Sequence, residues 1–164
     1  SPAADISAAI ALRKRKAVLR VGTMASDFDP VRLIRMMTGH NHNGLIGTEY
    51  CAHGDDWCEL RVPYREDLVG DTATGIIASG PIITMMDSAT SISVWLATKK
   101  FRPQATLDLR VDYLRPAEPG KTVYGHGECY KVTKSIAFVR GEAHDGDPAR
   151  PLAHVAGTYM FTDA

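Results

Sequence analysis

The chain is 164 residues long and sets 19 Lys+Arg against 19 Asp+Glu, so its formal net charge at pH 7 is zero. With 45% hydrophobic and 23% charged residues it has the makeup of one folded domain, alone or with a terminal extension, which excludes disorder and two full domains. A neutral chain also lacks the strongly basic face with which proteins displace counterions from nucleic acid.

Residues Ala3 to Arg20 read as a helix with a basic cluster, Arg13-Lys14-Arg15-Lys16. Asp29-Pro30 opens a second, short helix over Val31 to Met37, with proline near the first turn where its missing N–H costs nothing. Thr38-Gly39 ends it, and His40-Asn41-His42-Asn43-Gly44 has the chemistry of a turn. Leu45 to His53 and Trp57 to Val62 are short strands joined by a hairpin turn at Gly54-Asp55-Asp56. A polar connection follows from Arg65 to Gly75, then a long helix from Pro81 to Thr98. In the next strand Leu107, Leu109, Val111 and Tyr113 alternate with Thr106, Asp108, Arg110 and Asp112, which predicts one buried face. After a turn at Arg115 to Gly120, further strands cover Thr122 to Thr133, Ser135 to His144 and Leu152 to Phe161. Strands, one long helix and then an antiparallel meander define an α+β fold. A helix of about 18 residues is ~27 Å long, enough to lie across a five- or six-stranded sheet curled around it.

The long helix carries two stripes. Ile82, Met85, Met86, Ala89, Ile92 and Leu96 form an apolar one, and Thr84, Asp87, Ser88 and Ser91 a polar one. A polar stripe is ordinarily just the wet side of a helix. Asp87, however, is the one charged residue between Asp71 and Lys99. A solvated face usually carries several charges in i,i+4 pairs, so a lone carboxylate among hydroxyls points to a sheltered polar pocket.

No run approaches the roughly 20 apolar residues that cross a bilayer. The N-terminus is apolar before it is basic, the reverse of a secretory signal. Cys51, Cys58 and Cys129 form no CxxC pair, which leaves zinc-ribbon and redox motifs unsupported and fits a reducing cytoplasm.

The order of elements and several motifs resemble the hot-dog-fold thioesterases, in particular the phenylacetyl-CoA thioesterase-like (PaaI-like) group. The resemblance runs from about Leu45 to Phe161. Gly70-Asp71-Thr72-Ala73-Thr74-Gly75 is similar to that family's polar lead-in, and Met85-Met86-Asp87-Ser88 to its helix motif. Ala105-Thr106-Leu107-Asp108-Leu109 and Tyr113-Leu114-Arg115-Pro116-Ala117 are similar to its following strand and strand end. The family's His-Gly-Gly turn falls on Ala78-Ser79-Gly80, so the His and first Gly are absent here.

The resemblance implies an antiparallel sheet around a central helix over residues 41–164, with residues 1–40 as an N-terminal helical extension. It implies hydrolysis of an acyl-CoA or aryl-CoA thioester, with CoA as part of the substrate and no separate cofactor or metal. Asp87 would be the base or nucleophile, and the backbone N–H of Ser79 or Gly80 the oxyanion donor at the helix's positive end. Thr106 would hold the water or carboxylate, reaching the site from a partner subunit, and Asp71 would take the lead-in polar role. A homodimer or homotetramer is implied, with no nucleic acid or membrane partner. The alternative is a non-catalytic acyl-CoA-binding or sensing module, which the missing His-Gly favours. A dehydratase ranks below both, because its chemistry on this fold uses a histidine and none is expected near the helix start.

Other residues support less. His40 and His42 read as surface-turn residues, His126 and His154 as sheet residues, Trp57 and Trp95 as packing residues. Lys99, Lys100, Arg102 and Arg115 are candidates for the CoA phosphates, none singled out. The neutral total hides an asymmetry. Residues 1–20 hold five basic residues and one acidic, the remainder fourteen basic and eighteen acidic.

Overall fold

The computed structural model describes residues 28–162, and the helix expected over Ala3 to Arg20 lies outside them. Helix α1 (Pro30–Thr38) begins as its sequence dictates: Asp29 accepts a hydrogen bond from the Arg32 N–H at 3.0 Å, with proline in the first turn. Its Ile34 enters the main buried cluster beside Ile46, Leu60 and Met85. The segment expected as a turn is a second helix, α2 (Asn41–Ile46), for which His40 is the N-terminal flanking residue. Asn and Gly disfavour helix, but tertiary contacts override that preference. Ile46 is buried in the cluster, Gly47 closes the helix at φ 77°, and a side chain at Gly44 would lie 2.9 Å from the Gly39 carbonyl oxygen.

Because α2 takes up Leu45 and Ile46, the first strand starts later than expected. Strand β1 (Glu49–His53) pairs with β2 (Trp57–Val62) in the anticipated hairpin. The polar connection holds a 3₁₀ turn, Glu66–Leu68, and a small second sheet of β3 (Val69–Asp71) and β4 (Ile76–Ile77). After helix α3 (Ser79–Thr98) come β5 (Gln104–Tyr113), β6 (Val123–Val132), β7 (Ile136–His144) and β8 (Ala153–Phe161). The main sheet is antiparallel with strand order β1-β2-β6-β7-β8-β5. The meander is therefore confined to β6, β7 and β8. Strand β5 pairs with β8 at the far edge, and residues 114–122 cross back to β6. The buried face expected for β5 is only half realised. Leu109 and Val111 pack on the core, while Leu107 and Tyr113 at this edge stay exposed.

Helix α3 starts at Ser79, two residues ahead of Pro81, and ends at Lys99 with φ 54°. Met85, Met86 and Ala89 are fully buried where the helix meets the sheet. The close approach depends on glycines beneath it. A Cβ at Gly127 on β6 would lie 2.7 Å from the Thr90 backbone nitrogen and 2.8 Å from the Ala89 carbonyl carbon. Helix backbone has no rotamer with which to retreat. Gly127→Ala is expected to destabilise the fold by about 3 kcal/mol, the upper end of overpacking costs, and to lower the urea midpoint at constant m-value. An unchanged midpoint would show that α3 is not seated this closely.

The crossing segment is pinned to the β7–β8 loop by one ion pair. Arg115 binds Asp145 through two nitrogens, at 2.6 and 2.8 Å, and Asp145 also accepts from the Glu118 N–H at 2.8 Å. The Asp145 side chain is 3% exposed, and the Arg115 guanidinium holds its carboxyl well below the usual carboxylate range. A depressed pKa contributes stability that is present above about pH 4, where the unfolded carboxylate ionises, and is lost as pH falls toward the folded value. Asp145→Asn is expected to cost about 3 kcal/mol at pH 7 by stranding the arginine. The gap to wild type, read from urea titrations, should narrow below about pH 4. A gap constant with pH would refute the linkage.

Candidate functional site

At 100° per residue, Thr84, Asp87, Ser88 and Ser91 share one face of α3. That face is not left to water. His42 Nε2 lies 3.2 Å from Thr84 Oγ1, and Ser88 Oγ donates to Asn43 Oδ1 at 3.1 Å. Gln104 Nε2 donates to Ser91 Oγ at 2.8 Å, and Thr106 Oγ1 to Asp87 Oδ1 at 3.0 Å. The Tyr159 hydroxyl donates to the same Asp87 oxygen at 3.0 Å. Helix α2 thus holds one side of the stripe, while β5 and β8 hold the other.

This placement corrects the reading of the histidine turn. His42 is exposed, but it sits on the long helix one turn beyond Gly80, so a histidine does lie near the helix start. Asn43, half-buried, accepts from both Ser88 and Thr48. Four residues of this shell, His42, Asn43, Gln104 and Tyr159, are not among the functional residues expected from the sequence. Tyr159 alone has a usable signal: it falls on the inward alternation of β8, where a phenol must find a partner for its hydroxyl.

Asp87 is half-buried, with Oδ1 taking both hydroxyl donors and Oδ2 accepting no hydrogen bond among the described residues. Tyr159 is 1% exposed. Burial first, and then the neighbouring Asp87 charge, push its phenol far above the ordinary range, so it remains a neutral donor. Thr106 reaches Asp87 within one chain, a correction to the expectation that it arrives from a partner subunit. A register shift between Thr106 and Asp108 makes this possible, with Leu107 as the extra residue. Thr106 thereby faces inward opposite Tyr159, while Asp108 bonds Thr158.

Ser79 and Gly80 form the first turn of α3. Their N–H groups precede the first intrahelical bond, and Ala78 supplies no side-chain cap. The Ser79 carbonyl accepts from the Tyr113 hydroxyl at 3.4 Å, and the space around Gly80 is open to 4 Å. Asp71 is not brought to Asp87 by any contact. Its carboxylate turns into its own loop, accepting from the Ala73 N–H at 3.0 Å and Thr74 Oγ1 at 2.9 Å. Of the basic candidates, Lys99 pairs with Asp55, Arg115 is committed to Asp145, Arg102 lies over the Phe161 ring and Lys100 is exposed. His126 stacks on Trp57, and His154 approaches Glu142 at 3.9 Å, both on the sheet. Burial pushes Cys58 up to about 12 and Cys129 up to about 11, so neither is a thiolate near neutrality. Among the described residues no group of three or more His, Cys, Asp or Glu side chains could hold a metal ion, and no helix is long and apolar enough to cross a membrane.

Residues 74–152, which include α3, Asp87 and Thr106, match the family model of the thioesterase superfamily. A Pseudomonas aeruginosa protein of solved structure is 38% identical over 80% of this chain and 98% of its own, with a TM-score of 0.73. The medium/long-chain acyl-CoA thioesterase YigI of Escherichia coli (strain K12) is 26% identical over 138 residues, 72% of this chain and 83% of its own length. The PaaI protein from the E. coli phenylacetic acid degradation operon shares the fold, with a TM-score of 0.71 over 82% of this chain and 94% of its own, at 11% identity. The antiparallel sheet around a central helix is the hot-dog fold, and this chain belongs to the thioesterase superfamily and is a hydrolase.

Proposed function

We propose that the protein hydrolyses acyl-CoA or aryl-CoA thioesters to the free acid and CoA, with Asp87 as the base or nucleophile. The observation that carries this reading is the state of that carboxylate. One oxygen is held by two hydroxyls, the other is open, and no cation neutralises it among its contacts. As base, Oδ2 takes a proton from water while the water oxygen bonds to the thioester carbonyl carbon. The C–S bond then breaks, and the proton held on Asp87 passes to the departing CoA thiolate, which restores the carboxylate. The E. coli relative's activity on medium- and long-chain acyl-CoA supports acyl-CoA as the substrate class.

The oxyanion donor is the N–H of Ser79 or Gly80, at the positive end of α3. Seven residues separate Gly80 from Asp87, about 10 Å along the axis, too far for one carbonyl to touch both. A second copy with its helix running the other way supplies the missing end. That argument, with the exposed edge strand β5 and its Leu107 and Tyr113, supports a homodimer or a tetramer of dimers. Asp71, satisfied by its own loop, has the weakest support among the proposed site residues.

A second reading, a binding module without turnover, is favoured by Ala78-Ser79 standing where the family has His-Gly. Thiol release from a panel of hexanoyl-, decanoyl- and phenylacetyl-CoA separates the two. Hydrolysis by the wild type, reduced about 10²-fold or more in Asp87→Asn, is the expected outcome. Turnover that survives the substitution would sink the Asp87 assignment. Tight binding of these thioesters with no thiol release would favour the second reading.

A further inference from the structure

The contacts around Asp87 distinguish its two oxygens. Oδ1 lies 3.0 Å from both Thr106 Oγ1 and the Tyr159 hydroxyl, whereas Oδ2 has no partner among the described residues. The Tyr159 hydroxyl is itself 2.8 Å from Thr90 Oγ1 and 2.8 Å from the Asp87 carbonyl oxygen. Thr90 Oγ1 also lies 2.8 Å from the Met86 carbonyl oxygen and 3.2 Å from that of Asp87.

Each hydroxyl has one proton to give. Among the acceptors in reach of Tyr159, Oδ1 alone carries charge, and a charge-assisted hydrogen bond is the stronger one. The phenol proton therefore goes to Oδ1, and Thr90 gives its own either to the Met86 carbonyl or to the phenol oxygen. Thr90 and Tyr159 are both fully or almost fully buried, so water cannot substitute for either. The ring is wedged among Val94, Cys129, Ala137, Val139 and Phe161, a second buried cluster distinct from the main one. That packing leaves the hydroxyl no freedom to turn away.

We infer that Tyr159 is a positioning residue for the reaction: its hydroxyl, steadied by Thr90, fixes Asp87 Oδ1 and thereby makes Oδ2 the reacting oxygen. The inference rests on the reading of Asp87 as the reacting carboxylate. The titratable groups facing this carboxylate are Tyr159 from β8 and, one helical turn away on Thr84, His42 from α2. Strand β5 contributes Thr106 and Gln104, and α3 contributes Thr84, Ser88 and Ser91, none of which titrates.

The test is the split between kcat and KM in Tyr159→Phe, using whichever of hexanoyl-CoA and phenylacetyl-CoA the wild type hydrolyses faster. The kcat should fall about 3- to 10-fold, with KM held within about twofold. Thr90→Val should lower kcat the same way by less, and it carries the test if Tyr159→Phe does not fold. Wild-type kcat, or a loss borne by KM alone, in a variant with wild-type thermal stability overturns the inference. Asp87→Asn is assayed alongside: if it retains full turnover, the reading of Asp87 has failed, and if it is inactive while Tyr159→Phe keeps wild-type kcat, only the role of Tyr159 has.

Discussion

The closeness of α3 to the sheet is the constraint on which the rest of the molecule depends. Gly125 and Gly127 on β6 and Gly141 on β7 form a floor without side chains, and Met85, Met86, Ala89 and Thr90 come down onto it. Two side-chain layers between helix and sheet would normally hold them about 10 Å apart; removing one lets the helix settle lower. Once it is seated there, its rotation is fixed by the buried methionines. The opposite face, with Thr84, Asp87, Ser88 and Ser91, is then turned toward α2 and the β5 edge. The placement of Asp87 is thus a consequence of glycines on strands that carry no functional group of their own.

Rotation alone would leave the polar stripe wet. Three elements distant in sequence close around it instead, and they do so without a lysine or arginine. Helix α2 brings an imidazole and a carboxamide, β5 a hydroxyl and a carboxamide, and β8 a phenol. Each of these contacts a helix hydroxyl or carboxylate. Tyr159 is the buried end of this network, whereas His42 and Thr106 lie at its exposed rim. The Asp87 carboxylate sits half-buried among these groups, with one face turned to them.

Much of this architecture is legible in the sequence, and the failures have physical causes. The two stripes of α3 and the isolation of Asp87 follow from 100° spacing and a count of charges, both local properties. The strands from β6 to β8 follow from alternation and turn chemistry. The helix at Asn41–Ile46 does not, because its stability comes from Ile46 in the core and a glycine backbone contact at Gly39, neither of which is local. Strand β5 departs from its alternation for a subtler reason. Strict alternation places Thr106 with Asp108, Arg110 and Asp112 on the outer face, whereas a single extra residue at Leu107 reverses its side. One residue of register moves a side chain from one face of a sheet to the other, and composition carries no trace of it. Tyr159 could be placed on an inward face, yet its partner lies 72 positions away in the chain.

Two aspartates in this fold show how environment decides what a carboxylate can do. Asp145 has both oxygens taken by Arg115 and one of them also by a backbone N–H. Its negative charge is so well satisfied that it can accept no proton near neutrality, and the group acts as a rivet between the crossing segment and the β7–β8 loop. Asp87 meets no cation in its contacts. Its hydroxyl partners crowd one oxygen and fix the plane of the group. A carboxylate neutralised by arginine on both sides is a structural element because its lone pairs are spent. One held from a single side by neutral donors keeps a lone pair directed away from them. The difference lies in the partners: a guanidinium fork engages both oxygens at once, whereas two hydroxyls can converge on one and leave the other free.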